Sequence, residues 1–165
     1  MATANTLIEN ILCRKLIKKM NPEIINRKGA RKVQDVPSEV LDLLNNGKIQ
    51  TVNLTEWLAV DHLQLVNQCF KPTGISEKVI DKITEKIKIE KKPTAMNLTK
   101  LVGATLYEQI KNDKNYATIL EQLKTHSADS IRCYATYLIA LNEKWSLEEK
   151  FEQSLPLVAD QHFGV

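Results

Sequence analysis

The chain has 165 residues, 43% of them hydrophobic and 26% charged, with a formal net charge of +3. That fits one compact domain or a short array of repeats, with enough apolar side chain to build a core. Five glycines and five prolines are too few for a sandwich or barrel, and the composition also excludes a disordered chain.

In chain order, residues 5–20 read as an amphipathic helix. Leu7, Ile8, Ile11, Leu12, Leu16 and Met20 keep helical spacing. Asn21-Pro22 ends it, and a basic loop around Gly29 follows. "PSEVLDLLNNG" is a helix started by Pro37 and Ser38 and stopped by Gly47. "TVNLTEWLAVDHLQLVNQCF" reads as one well-buried helix closed by Lys71-Pro72. "ISEKVIDKITEKIKIEKKP" opens with Ser76 as N-cap, buries Val79, Ile80, Ile83 and Ile87, and ends at Pro93. Its alternating lysines and acids mark a solvated face rather than a nucleic-acid patch. "NLTKLVGATLYEQI" and "NYATILEQLKT" are two more helices. "HSADSIRCYATYLIAL" and "SLEEKFEQSLPLVAD" complete the set, the latter with Ser146 and Glu149 in capping-box spacing. No stretch alternates with period two, so the expected class is all-α with roughly eight helices.

The charge is unevenly spread. Arg14, Lys15, Lys18, Lys19, Arg27, Lys28, Arg31 and Lys32 are opposed by Glu23 alone. From Asp129 onward three cations face Asp129, Glu143, Glu148, Glu149, Glu152 and Asp160. Such a split hints at a basic binding end, although solvated helix faces carry similar runs. Cys13, Cys69 and Cys133 are far apart and form no CxxC pair, so reduced thiols in a cytoplasmic protein are expected. The amino-terminal stretch is interrupted by Glu9, Arg14 and Lys15, and neither a signal peptide nor a membrane span is expected.

Helices arriving in pairs prompt a search for repeats. "VNLTEWLA" and "MNLTKLVG" share Asn-Leu-Thr at a shift of 44 residues. Setting Met96 against Ile131, and Ile131 against Val165, gives shifts of 35 and 34. These suit an α-α superhelix, a solenoid of HEAT or armadillo type. "DSIRCYATYLIAL" resembles the second-helix signature of a HEAT repeat. There Asp129 would cap the helix, and Ile131, Tyr134, Ala135, Leu138 and Leu141 would form the buried stripe. Arg132 lies off that stripe. It has two readings: a structural bridge to an acidic residue of the next repeat, or a contact in the concave groove. "LPLVADQHFGV" looks like the lead-in to another such helix. On that reading residues 1–165 are a single HEAT-like domain, the amino-terminal part of a longer solenoid, and an uncapped end would self-associate.

"SADSIRCYATYLIAL" with "LPLVADQHFGV", and more loosely "NLTEWLAVD", resembles the bacterial DNA alkylation repair protein family of the AlkC/AlkD type, built from HEAT-like repeats. The resemblance implies a concave face that grips duplex DNA, alkylated in the repair setting, by its phosphates. It also implies excision of cationic alkylated bases by a carboxylate beside an indole, with no metal or organic cofactor. Trp57 and Asp61, four apart, are the catalytic candidates, expected on one helix face. Arg14, Lys18, Lys19, Arg27, Lys28, Arg31 and Lys32 are the phosphate candidates, with Arg132 in the groove. The plainer reading of Trp57 is a packing indole among Leu54, Leu58 and Val60, and that of Asp61 a surface or capping carboxylate. A protein-interaction scaffold that meets an acidic partner is the rival function.

Other chemistry finds no support. His62, His126 and His162 stand apart, and HExxH, GxSxG and P-loop motifs are absent. Cys133 reads as a small core residue and Trp145 as a cover over the core.

Overall fold

The computed structural model describes residues 21–160 and residue 162. Among these residues there are nine α-helices and no strand, so the chain is all-α. The helices are α1 (Pro22–Ile25), α2 (Ser38–Asn45), α3 (Leu54–Ala59), α4 (His62–Cys69), α5 (Glu77–Ile89), α6 (Ala95–Ile110), α7 (Tyr116–Lys124), α8 (Asp129–Leu141) and α9 (Leu147–Val158). Short 3₁₀ turns occupy Val33–Asp35 and Lys71–Thr73.

Most boundaries follow local chemistry. Gly47 sits at φ 63° just past α2, a left-handed conformation that favours glycine. A side chain there would also collide with Cys69 Sγ. Ser146 Oγ accepts from the Glu149 amide, and the Glu149 carboxylate accepts from the Ser146 amide at 2.7 Å, closing a full capping box on α9. Ser76 does precede α5, but its hydroxyl makes no capping bond.

One expected helix is two. The apolar run from Thr51 to Phe70 breaks at Val60, whose ψ of 127° is extended. Asp61 follows as N-cap of α4, its Oδ1 accepting from the Leu63 amide at 2.9 Å and the Gln64 amide at 3.1 Å. Asp and Asn compete for backbone donors and so favour caps over helix interiors. The Asn-Leu-Thr match fares similarly. Asn53 is the N-cap of α3, whereas Asn97 is the third residue of α6, so the two stretches hold different places in their helices.

Helix α8 lies at the centre of the core. Ile131, Tyr134, Ala135 and Leu138 are fully buried, while Leu141, expected on the same stripe, is exposed. Helices α6, α7 and α9 all pack on α8, α6 most extensively. Gly103 allows that approach, because a Cβ there would lie 2.6 Å from the Tyr137 Cβ. Asp129 does not cap α8. Its carboxylate reaches instead to the Thr51 amide and hydroxyl, both at 2.9 Å. His162 closes on the same place, its Nε2 lying 2.7 Å from the Thr51 carbonyl oxygen.

These contacts tie residue 51 to residues 129 and 162. The chain is all-α, and these contacts fasten residue 51 to the start of α8 and to the residues after α9.

Two histidines, the buried His62 and the half-buried His126, are held neutral. His62 Nδ1 lies 2.6 Å from the Tyr134 hydroxyl, and burial lowers its pKa to about 4 against the raising effect of Asp61. His126 accepts the Ala128 amide at Nδ1. Burial, then the charges of Arg132 and Lys48, lower it to about 4 as well. Both folded-state values lie below the ordinary value of 6.5. The unfolded chain therefore binds more protons between about pH 4 and 6.5. This stabilisation is complete above about pH 6.5 and is lost as pH falls toward 4. Denaturant titrations across that window are expected to show stability dropping by about 1.4 kcal/mol per pH unit for each histidine, with a shallower slope in His126→Gln.

Candidate functional site

The basic stretch after α1 is the first place to look for a site. The four-residue α1 is started by Pro22 and capped by Asn21, whose Oδ1 accepts the Glu23 amide. Beyond it the chain runs as a loop held by side chains. Asn53 Nδ2 donates to the Ala30 carbonyl at 2.9 Å, and Arg27 donates to the Ile24 carbonyl at 2.8 Å. A cleft of about 420 Å³ opens here, lined by Ile24, Arg27, Lys28, Val40 and the acids Glu23, Asp35, Glu39 and Glu56. Its walls thus carry both signs of charge, with carboxylates in excess.

Arg27 is a structural residue rather than a free phosphate anchor. It forms a two-pronged pair with Glu56, Nε to Oε1 at 2.8 Å and Nη2 to Oε2 at 2.7 Å. Nη2 also donates to the Gln50 carbonyl at 2.8 Å. Glu56 is 1% exposed and additionally accepts the Val52 amide. Its spacing from Asn53, whose Oδ1 accepts the Glu56 amide, is the sequence signal that marks it as a helix-start residue. Nothing local marks Arg27 as its partner.

Arg132 is likewise committed, which corrects its placing in a groove. It is 7% exposed. Nε donates to Asp160 Oδ2 at 2.5 Å, Nη1 to the His126 and Ser127 carbonyls, and Nη2 to Asp160 and to Gln50 Oε1 at 3.1 Å. The structural reading of this arginine, a bridge to a later acidic residue, describes the observed pair. For Asp160, burial pushes the carboxyl up, but the Arg132 and His162 hydrogen bonds and the Arg132 charge outweigh it and hold it below the usual range.

Trp57 and Asp61 are not assembled as a pair. Trp57 is 7% exposed, and its indole nitrogen is buried without a hydrogen-bond partner. Asp61 lies beyond the break at Val60, exposed, with Oδ1 engaged by two amides of α4. The expected shared helix face therefore does not exist, and the two residues belong to different helices. The chemistry requires a carboxylate and an indole facing one cavity, and this arrangement provides none. Cys133 is buried, its thiol pushed by burial up to about 12, so it is no nucleophile.

Lys28, Arg31 and Lys32 are exposed and, among the described residues, none has a carboxylate within ion-pair distance. Arg14, Lys18 and Lys19 lie outside the described residues. Among the described residues no group of three or more His, Cys, Asp or Glu could hold a metal ion, and no helix is long and apolar enough to cross a membrane. No family model matches this chain, and no curated protein or solved structure shows a significant match to it.

Two stability measurements test these assignments. Asp61→Ala is expected to lower stability by about 1 kcal/mol, whereas Asp61→Asn stays near wild type because asparagine caps equally well. Arg27→Met strands the buried Glu56 and is expected to cost about 3–5 kcal/mol, with much of that recovered in Arg27→Met/Glu56→Leu. Urea unfolding of the four variants reads both effects.

Proposed function

We propose that the protein is a non-catalytic binding module whose exposed basic loop contacts the phosphates of duplex DNA. The observation that carries the reading is the partition of the cations. Arg27 and Arg132 are paired with the buried Glu56 and the partly buried Asp160, while Lys28, Arg31 and Lys32 are exposed without such partners. Three adjacent cations offer backbone contacts that position a duplex and carry no sequence information. The mixed-sign cleft beside them has no anion-binding character of its own, so contact is assigned to the loop's outer face. Base excision is not part of the proposal, because Trp57 and Asp61 do not meet.

A second reading is a scaffold that binds another protein. It is favoured by apolar side chains left on the surface, with Leu54 and Leu58 on α3 and Leu147, Phe151, Leu155 and Val158 on α9. The buried thiols Cys69 and Cys133, both raised by burial, fit a reducing compartment such as the cytoplasm under either reading.

Salt-dependent duplex binding separates the two. A DNA-binding loop is expected to give a log K against log salt slope reduced by about 0.9 for each cation removed. Lys28→Ala/Arg31→Ala/Lys32→Ala should then lose most of the slope while folding normally. Absence of any duplex binding at low salt by the wild-type chain would reject the DNA reading and leave the scaffold.

A further inference from the structure

Helices α5 and α6 form an antiparallel hairpin whose closed end carries apolar residues among lysines. Lys82 Nζ donates to Gln109 Oε1 at 3.0 Å, and Lys86 Nζ donates to Thr105 Oγ1 at 3.2 Å. Moving forward along α5 thus moves backward along α6. The buried stripe of α5 runs through Ile80, Ile83 and Ile87, and that of α6 through Ala95, Thr99, Val102 and Leu106. Ile89 follows Ile87 by two positions, about 200° round the helix, and Met96 follows Ala95 by one, about 100° round. Both therefore leave the core at the same end of the hairpin, where they are 76% and 63% exposed.

The turn between them is exposed from Lys91 to Thr94 and is fixed by its own hydrogen bonds. Glu90 Oε1 accepts the Lys92 amide. The Lys92 carbonyl accepts the Thr94 amide and Asn97 Nδ2, and the Thr94 hydroxyl caps α6. The charge pattern changes here too. From Glu77 to Lys86 three acids alternate with three lysines, but from Lys88 to Lys100 four lysines stand against Glu90 alone. All four are exposed, and among the described residues none has a carboxylate within ion-pair distance.

We infer that this turn docks on an anionic lipid bilayer, with Ile89 and Met96 entering the headgroup layer and Lys88, Lys91, Lys92 and Lys100 set against its negative charge. Surface binding draws on apolar insertion and on attraction to anionic lipid, and the turn supplies both. Two apolar side chains give a reversible contact rather than an anchor. A protein partner needs about 800 Å² on each side, more than this turn offers. A nucleic acid would use the lysines and leave Ile89 and Met96 in water. The inference does not rest on the duplex reading, which uses Lys28, Arg31 and Lys32.

Co-sedimentation of the full chain with vesicles tests it. Phosphatidylcholine vesicles holding about 30% phosphatidylserine are expected to bind the protein reversibly, while phosphatidylcholine alone leaves it in solution. Lys91→Ala/Lys92→Ala should lower the partition coefficient about fivefold for each lysine removed. Ile89→Ser/Met96→Ser, which keeps every charge, should lower it at least about tenfold. In Met96→Trp, tryptophan emission should move to shorter wavelength on the anionic vesicles, beyond any change in the wild type. All the altered side chains are exposed, so these variants are expected to unfold in urea as the wild type does. No binding to the anionic vesicles at low salt would overturn the inference. Equal binding to both kinds of vesicle, or undiminished binding in both double variants, would do the same. Loss in the lysine variant alone, without an emission shift in Met96→Trp, would replace insertion by a contact of charge alone. A lysine variant that keeps vesicle binding and loses duplex DNA affinity would overturn it in favour of a nucleic acid.

Discussion

Three consecutive residues, Gln50, Thr51 and Val52, hold the two ends of the described chain together. The Gln50 carbonyl receives Arg27 and its side chain receives Arg132. The Thr51 amide and hydroxyl satisfy Asp129, and its carbonyl meets His162. The Val52 amide satisfies Glu56. An irregular strip of backbone thereby neutralises or satisfies several buried polar groups that would each be costly alone. The helices packed around α8 could shift against one another if apolar burial were the sole constraint, because that attraction has no direction. Hydrogen bonds from residues 50–52 to α3, α8 and the turn after α9 do have direction, and they fix the register in which the helices close.

The same strip explains why an arginine stands at the first turn of a core helix. Arg132 lies one turn from Ala128 and projects past the amino end of α8, where the His126 and Ser127 carbonyls accept from it. Asp160 then supplies the countercharge from beyond α9. Burying a guanidinium is tolerable when every donor group has an acceptor, and here Nε, Nη1 and Nη2 all do. Asp129, three residues earlier, turns away to Thr51, so the two opposite charges of one helix start serve different partners.

Much of the fold was legible in the sequence because it is set locally. Gly47, Pro93 and the Ser146/Glu149 pair mark boundaries by chemistry acting within a turn or two. The break at Val60 was not legible, since apolar residues continue on both sides and hide the change of direction. Asp61 was the available clue, being a residue that favours caps over interiors. The shared Asn-Leu-Thr misled for a related reason, because three identical residues do not fix their place in a helix. The candidate site was less legible still. Arg27 with Glu56 and Arg132 with Asp160 are separated by 29 and 28 residues, and only tertiary closure decides which cations find carboxylates.

That closure has a functional consequence. Base excision by a carboxylate beside an indole needs the acid free of other bonds and facing a space that can hold a sugar and base. Asp61 is exposed, with an oxygen bound to the start of α4, while Trp57 is packed in the core. Moving either to the other would require breaking the cap or opening the core. The buried ionic groups Glu56, Asp129 and Arg132 instead find partners within the fold, several of them on residues 50–52. The cations Lys28, Arg31 and Lys32 and the apolar residues Leu147, Phe151, Leu155 and Val158 lie on the outside of the described fold.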